Sequence, residues 1–483
     1  MRVLFLSTYE LGQQPVNIAG PAAAVEARGH ETRLVDLSRS PWPDGDVAWA
    51  QAVAISIPMH TATRLALEVL RALRDTRPDL CVALYGLYAP VVEGHDLLRP
   101  GDLLPAGDPT AAISSWLEGM NAPLALDGEA PISNPRAQVD LGSPRPTPSP
   151  LPLRHLLPPL EGYAHLRAGE RDALVASVEA SRGCNHKCRH CPVAPVWNGR
   201  SRPVAIASVL ADIDQVAAAG ATHVSFADPD FLNRPGHALE VARALHAAHP
   251  ELTFDATVKV EHVLKHRAGW PELASSGLIF IVSAFESVDD HVLERLDKGH
   301  TATDEAEAVA IVRGAGIEVR PSWLPFTPWT TLESFAALLN FAAKSDLVWS
   351  TDPVQYSIRL LLPRGSLLLS SPDAVLAAAL EGGEDAYGSR RWVPADSAVD
   401  DLQREVASRA ELGSAAAEDL DVTFQGIWEI ARAAGAPLAT EPPAPSDPWL
   451  PGPERPRLTE SWFCCAEPTL AQRTGLGVPL GAL

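Results

Sequence analysis

The sequence predicts an α/β protein, and three observations support this fold class. Two stretches of the chain, residues 1–121 and 161–375, alternate short apolar strands with helices. Such alternation is typical of parallel sheets covered by helices. Seven prolines fall between Pro144 and Pro159, which predicts a Pro-rich linker over residues 122–160. The chain has 483 residues, enough for two or three domains with separate cores.

The first stretch predicts a doubly wound, Rossmann-like domain over residues 1–121. Each of its four strands is short and apolar, and helices are expected over 20–28 and 61–74; the strands are Val3–Ser7, His30–Leu37, Val53–Ile57 and Cys81–Gly86. Cys81 lies within the last strand, so we interpret it as a small core residue.

The second stretch predicts six strands separated by helices. The strands are Leu174–Val178, His223–Ala227, Thr253–Val258, Leu278–Ala284, Ile317–Pro321 and Val354–Leu361. The helices are Val204–Ala219, His237–Ala248, Asp289–Leu296 and Leu332–Ala343. Periodicity alone is compatible with an open barrel or with a second doubly wound sheet.

The C-terminal part predicts a helical region over 376–435, followed by a Pro-rich arm and tail over 436–483. Eight prolines fall between Pro437 and Pro456. A chain of this composition is stiff and extends by about 3.1 Å per residue. The arm is therefore long enough to carry the tail back over the body of the protein.

The charge of the chain narrows the class of partner. Asp and Glu total 60 against 39 Lys and Arg, which gives a formal net charge of −21. Such a charge repels phosphate backbones and anionic membranes. No apolar run approaches the ~20 residues of a membrane span, and the first residues do not read as a signal peptide. We expect a cytoplasmic protein that acts on a small molecule, with neither nucleic acid nor membrane as its partner.

Three of the six cysteines form one compact motif in the second stretch. Ser181-Arg-Gly-Cys-Asn-His-Lys-Cys-Arg-His-Cys-Pro places thiols at Cys184, Cys188 and Cys191, directly after a predicted strand. A [4Fe–4S] cluster normally takes four thiolates, so three would leave one iron open to another ligand. The alternative is a structural zinc site completed by His186 or His190. Structural zinc sites usually use two ligand pairs separated by a longer spacer, so the spacing favours a cluster.

The motif resembles the radical SAM superfamily. Phe226-Ala-Asp-Pro-Asp-Phe ends the second strand, and the run from Phe285-Glu-Ser to Asp297-Lys-Gly-His ends the fourth; this run is similar to the "ES…vL…KG" segment of radical SAM enzymes with a cobalamin-binding domain. The resemblance covers roughly residues 1–375. It implies a partial (β/α)6 barrel, a [4Fe–4S] cluster, S-adenosylmethionine as cofactor and an electron donor such as flavodoxin or ferredoxin.

The resemblance also implies roles for individual residues. Cys184, Cys188 and Cys191 would each ligate one iron. Asp228 or Asp230 would accept from the methionyl ammonium, and Glu286 with Ser287 would contact the ribose hydroxyls. Arg320 and Arg359 are candidates for contacts to the methionyl carboxylate, or else solvated surface arginines.

Cobalamin remains an alternative cofactor, since the N-terminal domain is similar to cobalamin-binding domains in position and size. However, the lower-ligand motif Asp-x-His-x-x-Gly is missing, because the first strand is followed by Thr8-Tyr-Glu-Leu-Gly-Gln-Gln-Pro. Either cobalamin binds without a protein ligand or the domain is a scaffold, and we expect a scaffold. His60 lies at a predicted strand end, and we interpret it as a helix-start residue.

Two further cysteines, Cys464 and Cys465, are adjacent in the tail. Paired thiols suit soft metals or metalloids and can form a reducible vicinal disulfide. The run Cys464-Cys-Ala-Glu-Pro resembles the CUAEP/CCAEP-tail radical SAM proteins. A more distant resemblance joins it to the RCCLKC-tail enzyme of arsinothricin biosynthesis, which transfers an aminocarboxypropyl group to trivalent arsenic.

The tail therefore predicts a catalytic role for both thiols. We expect the arm to return Cys464 and Cys465 to the barrel mouth, where they present a soft-element substrate or relay redox equivalents. The hypothesis is a radical SAM enzyme acting on an unidentified small substrate. The alternatives are aminocarboxypropyl transfer to As(III), cobalamin-dependent methyl transfer, and a non-enzymatic metal or metalloid sensor.

Overall fold

The structure is a computed structural model that describes residues 1–121 and 145–478. The predicted linker lies partly outside the described residues, at 122–144, and so do residues 479–483 of the predicted tail. From Arg145 to Pro159 the linker contacts two elements of the fold. Leu153 N–H donates to the Ala19 carbonyl in the helix Val16–Glu26, and Thr147 forms a bridge with Val204, which follows the strand Arg200–Pro203.

The N-terminal unit is a four-stranded parallel sheet with strand order β2-β1-β3-β4. Apolar side chains cover both faces of its strands; the successive residues Val53 and Ala54, for example, point to opposite faces and are both fully buried. Its elements are β1 (Arg2–Ser7), α1 (Val16–Glu26), β2 (Glu31–Asp36), α2 (Asp44–Trp49), β3 (Ala52–Ser56), α3 (His60–Thr76), β4 (Cys81–Tyr85) and α4 (Thr110–Asn121). The doubly wound, Rossmann-like prediction is confirmed.

The second unit is built on a curled sheet whose central strands run parallel. Burial on both faces explains their almost continuous apolar sequence. Its elements are β5 (His165–Ala168), β6 (Arg171–Val178), β7 (Ser181–Cys184), α5 (Val193–Trp197), β8 (Arg200–Pro203), α6 (Ile206–Ala218), β9 (His223–Phe226), α7 (Pro235–Ala248), β10 (Thr253–Thr257), α8 (Val260–Lys265), α9 (Trp270–Ser275), β11 (Leu278–Glu286), α10 (Asp290–Leu296), α11 (Ala302–Gly314), β12 (Glu318–Trp323) and α12 (Leu332–Lys344).

The C-terminal part adds helices, a hairpin and one short strand. Its elements are α13 (Ala374–Ala379), β13 (Leu380–Glu384), β14 (Arg390–Trp392), α14 (Ser397–Ala415), α15 (Leu420–Ala433), β15 (Arg457–Leu458) and α16 (Leu470–Gly475). The curled sheet has the order β12-β11-β10-β9-β6-β5-β15, in which β5 pairs antiparallel with β6 and β15 pairs antiparallel with β5. Among the described residues no helix is long and apolar enough to cross a membrane.

The predicted strand Val354–Leu361 is wrong. Pro353–Ser357 forms a short 3₁₀ helix, and Arg359 makes only an isolated bridge to Phe326. Proline lacks the amide donor that a sheet ladder needs. Tyr356 instead packs against Phe424 of α15, so the segment belongs to the helical layer.

The arm, defined as residues 436–459, joins the two edges of the curled sheet. Its strand β15 pairs with β5 at one edge. Just before it, the Arg455 guanidinium lies 2.6 Å from Asp346 and 3.8 Å from Glu318 of β12, the other edge. The chain then runs along β5 toward the carboxyl ends of the parallel strands, which we call the barrel mouth. The tail, residues 460–478, therefore starts at the mouth.

Candidate functional site

The cysteine loop leaves the sheet through a tight turn at the mouth. Gly183 has φ 77°, and a Cβ there would lie 2.5 Å from the Trp197 ring and 2.6 Å from the Arg200 carbonyl. Only glycine adopts this conformation without strain and leaves room for the indole. Gly183 thus permits the hairpin of β7 and β8 from which Cys184 emerges.

Asn233 holds the same loop from the end of the second parallel strand. Its Oδ1 accepts from the Asn185 N–H at 2.9 Å and lies 3.6 Å from Cys184 Sγ. Its carbonyl accepts from the Asn185 side chain at 2.8 Å. These contacts fix the position of the first thiol relative to β9. The sequence analysis missed Asn233, although it lies next to the Asp-Pro-Asp-Phe segment.

Cys184, Cys188 and Cys191 carry free thiols at the mouth, as one cluster would require. Burial, together with the charges of Cys188 and Cys184, raises the pKa of Cys191 to about 12. Burial also raises the pKa of Cys184 to about 11, with Cys188 among the contributing charges. The three thiols are thus near neighbours, and a bound metal would be needed to keep Cys184 and Cys191 ionised. This donor set fits three ligands of a [4Fe–4S] cluster.

A buried ion pair supports the cysteine loop from the fourth parallel strand. Glu286 Oε1 lies 3.1 Å from Lys298 Nζ and 3.2 Å from His190 Nε2. Glu286 has φ 71°, unusual for a residue other than glycine, at a register shift that ends β11. Although burial opposes it, Lys298 and then His190 lower the Glu286 pKa well below its usual range.

Lys298 was missed by the sequence analysis, although it lies in the Lys-Gly pair of the quoted segment. It is 2% exposed. Burial lowers its pKa, but Glu286 and Cys188 more than offset this, so the pKa is raised overall. The ammonium is therefore charged and close to the cysteine loop. A cation there stabilises nearby thiolates or an anionic cluster.

The two aspartates proposed for the methionyl ammonium have different surroundings. Asp228 accepts from the Ala180 N–H at 2.8 Å and from the Ser181 hydroxyl at 2.5 Å, and burial raises its pKa to about 7. Both carboxylate oxygens of Asp228 are therefore hydrogen-bonded to the turn before the loop. Asp230 instead directs Oδ2 toward His262 Nδ1, 2.8 Å away, beside the cysteine loop.

His186, Asp230 and His262 have ligand atoms within 4.8 Å of one another. Such a set can hold a metal ion, but Lys259 Nζ lies 3.2 Å from His186 Nδ1 and places a cation beside it. With His186 on this side and His190 facing Glu286, neither imidazole is free to complete a zinc site with the three thiols. This arrangement disfavours the Cys3His zinc alternative.

Glu286 and Ser287 remain at the mouth, whereas the two predicted arginines pair with carboxylates of the protein. Ser287 accepts from the Asp289 N–H, at the start of α10. Arg320 pairs with Asp352 at 2.9 Å and faces the arm, and it is buried. Arg359 pairs with Asp400 and lies over the Trp392 ring. Protein partners therefore occupy both guanidinium groups, and neither is a solvated surface arginine.

The tail brings its two thiols to the mouth, between the N-terminal unit and the cysteine loop. Cys464 Sγ and Cys465 Sγ lie 3.6 Å apart. The pKa of Cys465 is raised well above its usual value by Cys464 and by burial, and the charges of Glu286 and Cys191 add to this. Cys191 and Cys465 both affect the pKa of Tyr88, which follows β4. The tail thiols thus face the same space as the cysteine loop.

Comparison with known proteins finds a family model that matches the central part of the curled sheet. Residues 178–342 match the family model of the Radical SAM superfamily. Relatives include tRNA-2-methylthio-N(6)-dimethylallyladenosine synthase of Chlorobium phaeobacteroides (strain BS1), 24% identical over 37% of this chain and 42% of that protein. Hopanoid C-3 methylase of Methylococcus capsulatus (strain ATCC 33009 / NCIMB 11132 / Bath) is 20% identical over 65% of this chain and 62% of that protein. The chain therefore spans less than two thirds of either relative.

Solved structures share the fold over more of the chain. The cobalamin-dependent S-adenosylmethionine radical enzyme OxsB, with aqua-cobalamin bound, superposes with a TM-score of 0.65 at 13% identity, over 86% of this chain and 67% of that one. The radical S-adenosylmethionine methyltransferase TsrM from Kitasatospora setae, with cobalamin and a [4Fe–4S] cluster bound, gives 0.54 at 16% identity, over 71% and 73%. These likenesses show the shared fold.

The loops after β1 and β3 offer no free histidine as a ligand to the cobalt of a cobalamin, whereas the cysteine loop offers three thiols to a cluster. The loop after β1, Thr8–Pro15, contains no imidazole to ligate cobalt. His60 begins α3, as expected, and its Nε2 lies 2.9 Å from Glu467 of the tail. No histidine of these two loops is therefore free for a corrin.

Proposed function

We propose that the chain is an enzyme of the radical SAM superfamily and that it reductively cleaves S-adenosylmethionine at a [4Fe–4S] cluster held by Cys184, Cys188 and Cys191. The radical so formed acts on a small-molecule substrate. One observation carries the proposal: three free, neighbouring thiols lie at the mouth of a curled parallel sheet. When bound, the cluster supplies the electron that breaks a carbon–sulfur bond, and the protein supplies orientation and protection.

The surrounding residues support this proposal by their charge and position. Lys298 stabilises anionic charge at Cys188 and Cys191, and Glu286 keeps Lys298 protonated. Asp230 is the better candidate for the methionyl ammonium, since Asp228 is held by Ala180 and Ser181. Glu286 and Ser287 remain the candidates for the ribose. An external donor such as flavodoxin or ferredoxin would reduce the cluster.

We further propose that Cys464 and Cys465 take part in turnover. The observation that supports this role is that Cys465 lies close enough to Cys191 and Glu286 for their charges to affect its pKa. The raised pKa of Cys465 favours a protonated thiol, which can donate a hydrogen atom to a substrate radical. The neighbouring Cys464 thiol would then combine with the Cys465 thiyl to form a disulfide, losing one proton and one electron. The external electron donor would have to return the disulfide to two thiols before the next turnover.

The test is anaerobic cleavage of S-adenosylmethionine by reconstituted protein with dithionite. The proposal expects 5′-deoxyadenosine from the wild type and none from Cys184→Ala. Cys465→Ser should retain the cluster absorbance and still cleave S-adenosylmethionine. In D2O without substrate, however, its 5′-deoxyadenosine should lack the solvent-derived deuterium that the exchanged Cys465 thiol donates to the 5′-deoxyadenosyl radical in the wild type. Unchanged deuterium incorporation in Cys465→Ser would remove this thiol from the hydrogen-transfer path.

Aminocarboxypropyl transfer to trivalent arsenic is a second candidate function. It is favoured by the 3.6 Å separation of the two tail sulfurs, because paired thiolates can chelate one soft ion. Here arsenite would be the substrate, and 5′-methylthioadenosine would replace 5′-deoxyadenosine. Arsenite should then raise methylthioadenosine formation in the wild type but not in Cys464→Ser. If arsenite leaves the nucleoside products unchanged, this second function is excluded.

A further inference from the structure

We propose that the crevice of the N-terminal unit is the binding site of the chain's own tail segment Glu460–Glu467, which excludes a corrin from it. The inference concerns the N-terminal unit and does not depend on the proposed reaction. In an open parallel sheet, ligands bind outside the carboxyl ends of the strands, where the strand order reverses. Here that point lies between β1 and β3.

Loops after three strands line this crevice, and each meets the tail. After β1, Gly12 packs against Glu460: with φ 67°, a Cβ on Gly12 would lie 2.8 Å from Glu460 Oε2. After β3, Thr61 binds tail carbonyls. After β4, Tyr88 lies near both tail thiols, whose charges affect its pKa. The tail therefore spans the whole crevice.

The N-terminus of helix α3 is completed by the tail. Its N-cap residue, Met59, offers no side-chain acceptor to the first turn. The Thr61 N–H instead donates to the Cys464 carbonyl at 3.3 Å, and the Thr61 hydroxyl donates to the Ala466 carbonyl at 2.7 Å. Helix N-termini carry unsatisfied donors and commonly bind acceptors or anions. The tail thus supplies the cap that the local sequence lacks.

An anion in the tail is bound at the same helix. Glu467 Oε1 lies 2.9 Å from His60 Nε2 and 3.0 Å from Arg64 Nη2. Burial opposes ionisation of Glu467, but His60 and then Arg64 lower its pKa to about 2. A carboxylate next to a helix N-terminus is also favoured by the helix dipole. This contact fixes the end of the segment that carries both thiols.

Apolar contacts also hold the tail in the crevice. Trp462 packs against the core of the N-terminal unit and against the apolar cluster beside α10. Further along the tail, Leu476 is 1% exposed and belongs to the N-terminal core. The occupied space lies beside the loops after β1 and β3. A corrin needs the same crevice, so it can enter only if this segment leaves.

Thiol alkylation measures the seating of the tail. In Thr61→Val the Ala466 carbonyl loses its donor, and we expect iodoacetamide to modify Cys464 and Cys465 about tenfold faster than in the wild type. Thr63→Val is the matched control, since Thr63 donates to Met59 within the same helix turn and not to the tail. Its rates should equal those of the wild type. Equal rates in Thr61→Val, Thr63→Val and the wild type would overturn the proposed seat.

Hydroxocobalamin tests the exclusion directly. We expect no detectable uptake by the full chain in equilibrium dialysis, followed by the corrin absorbance. Stoichiometric uptake by the full chain would overturn the exclusion. Neither experiment uses S-adenosylmethionine or reductant, so a failure here is distinguishable from failure of the proposed reaction.

Discussion

Lys298→Met tests the buried charge pair at the base of the cysteine loop. Lys298 is 2% exposed, and its ammonium lies 3.1 Å from Glu286. Removing the ammonium leaves a buried carboxylate with His190 Nε2, 3.2 Å from Glu286 Oε1, as its remaining side-chain partner. Breaking a buried pair on one side costs about 3–5 kcal/mol of unfolding free energy. We expect a loss of that size in the cluster-free protein, measured by urea denaturation.

A double-mutant cycle separates the free energy lost by breaking the Lys298–Glu286 ion pair from that lost by removing the apolar stem of the lysine. Glu286→Gln alone should also destabilise, whereas the double variant should recover about 2 kcal/mol or more of the summed losses, because no charge is left unpaired. Lys265→Met is the matched control: Lys265 is exposed, so its change should stay within about 0.5 kcal/mol. The reasoning is refuted if Lys298→Met behaves like Lys265→Met, or if the two losses simply add.

Two further predictions concern a buried acid and a glycine. Burial raises the pKa of Glu10 from 4.5 to about 8, so the folded state holds a proton that the unfolded state releases. Wild-type stability should fall by about 1.4 kcal/mol per pH unit between these two values relative to Glu10→Gln, and parallel pH profiles of urea midpoints would contradict this. In Gly183→Ala, the new Cβ would lie 2.5 Å from the Trp197 ring, so iron content after reconstitution should drop by more than half. Gly236→Ala, with open space around its Cβ, should match the wild type, and equal iron in both variants would show that the turn tolerates a side chain.

The sequence predicted the order of strands and helices along the chain better than it predicted individual polar contacts. A strand such as Leu278–Ala284 can be predicted because a buried strand has an almost continuous apolar sequence. In the structure this strand continues to Glu286. The strand prediction failed for residues 354–361. An apolar run of this length can also be buried as a 3₁₀ helix, and here the helix begins at Pro353 and packs against α15.

Side-chain partners that come from distant segments could not be predicted in this way. Arg320 and Arg359 pair with Asp352 and Asp400. These aspartates are distant in the sequence and come close only through tertiary packing. Thr61 carries no local signal, since its partners are the carbonyls of Cys464 and Ala466, about four hundred residues later. The proposed cluster ligands Cys184, Cys188 and Cys191 could be predicted because they lie within one short stretch of the sequence.

The central claim is that the three loop thiols hold a cluster at which S-adenosylmethionine is cleaved. The most direct measurement is mass spectrometry of the nucleosides formed by the anaerobically reconstituted, dithionite-reduced protein, with Cys184→Ala, Cys188→Ala and Cys191→Ala as controls. The account predicts 5′-deoxyadenosine from the wild type, and none from the three variants. If the fully reconstituted wild type forms neither 5′-deoxyadenosine nor 5′-methylthioadenosine, or if the variants form as much as the wild type, the account is contradicted.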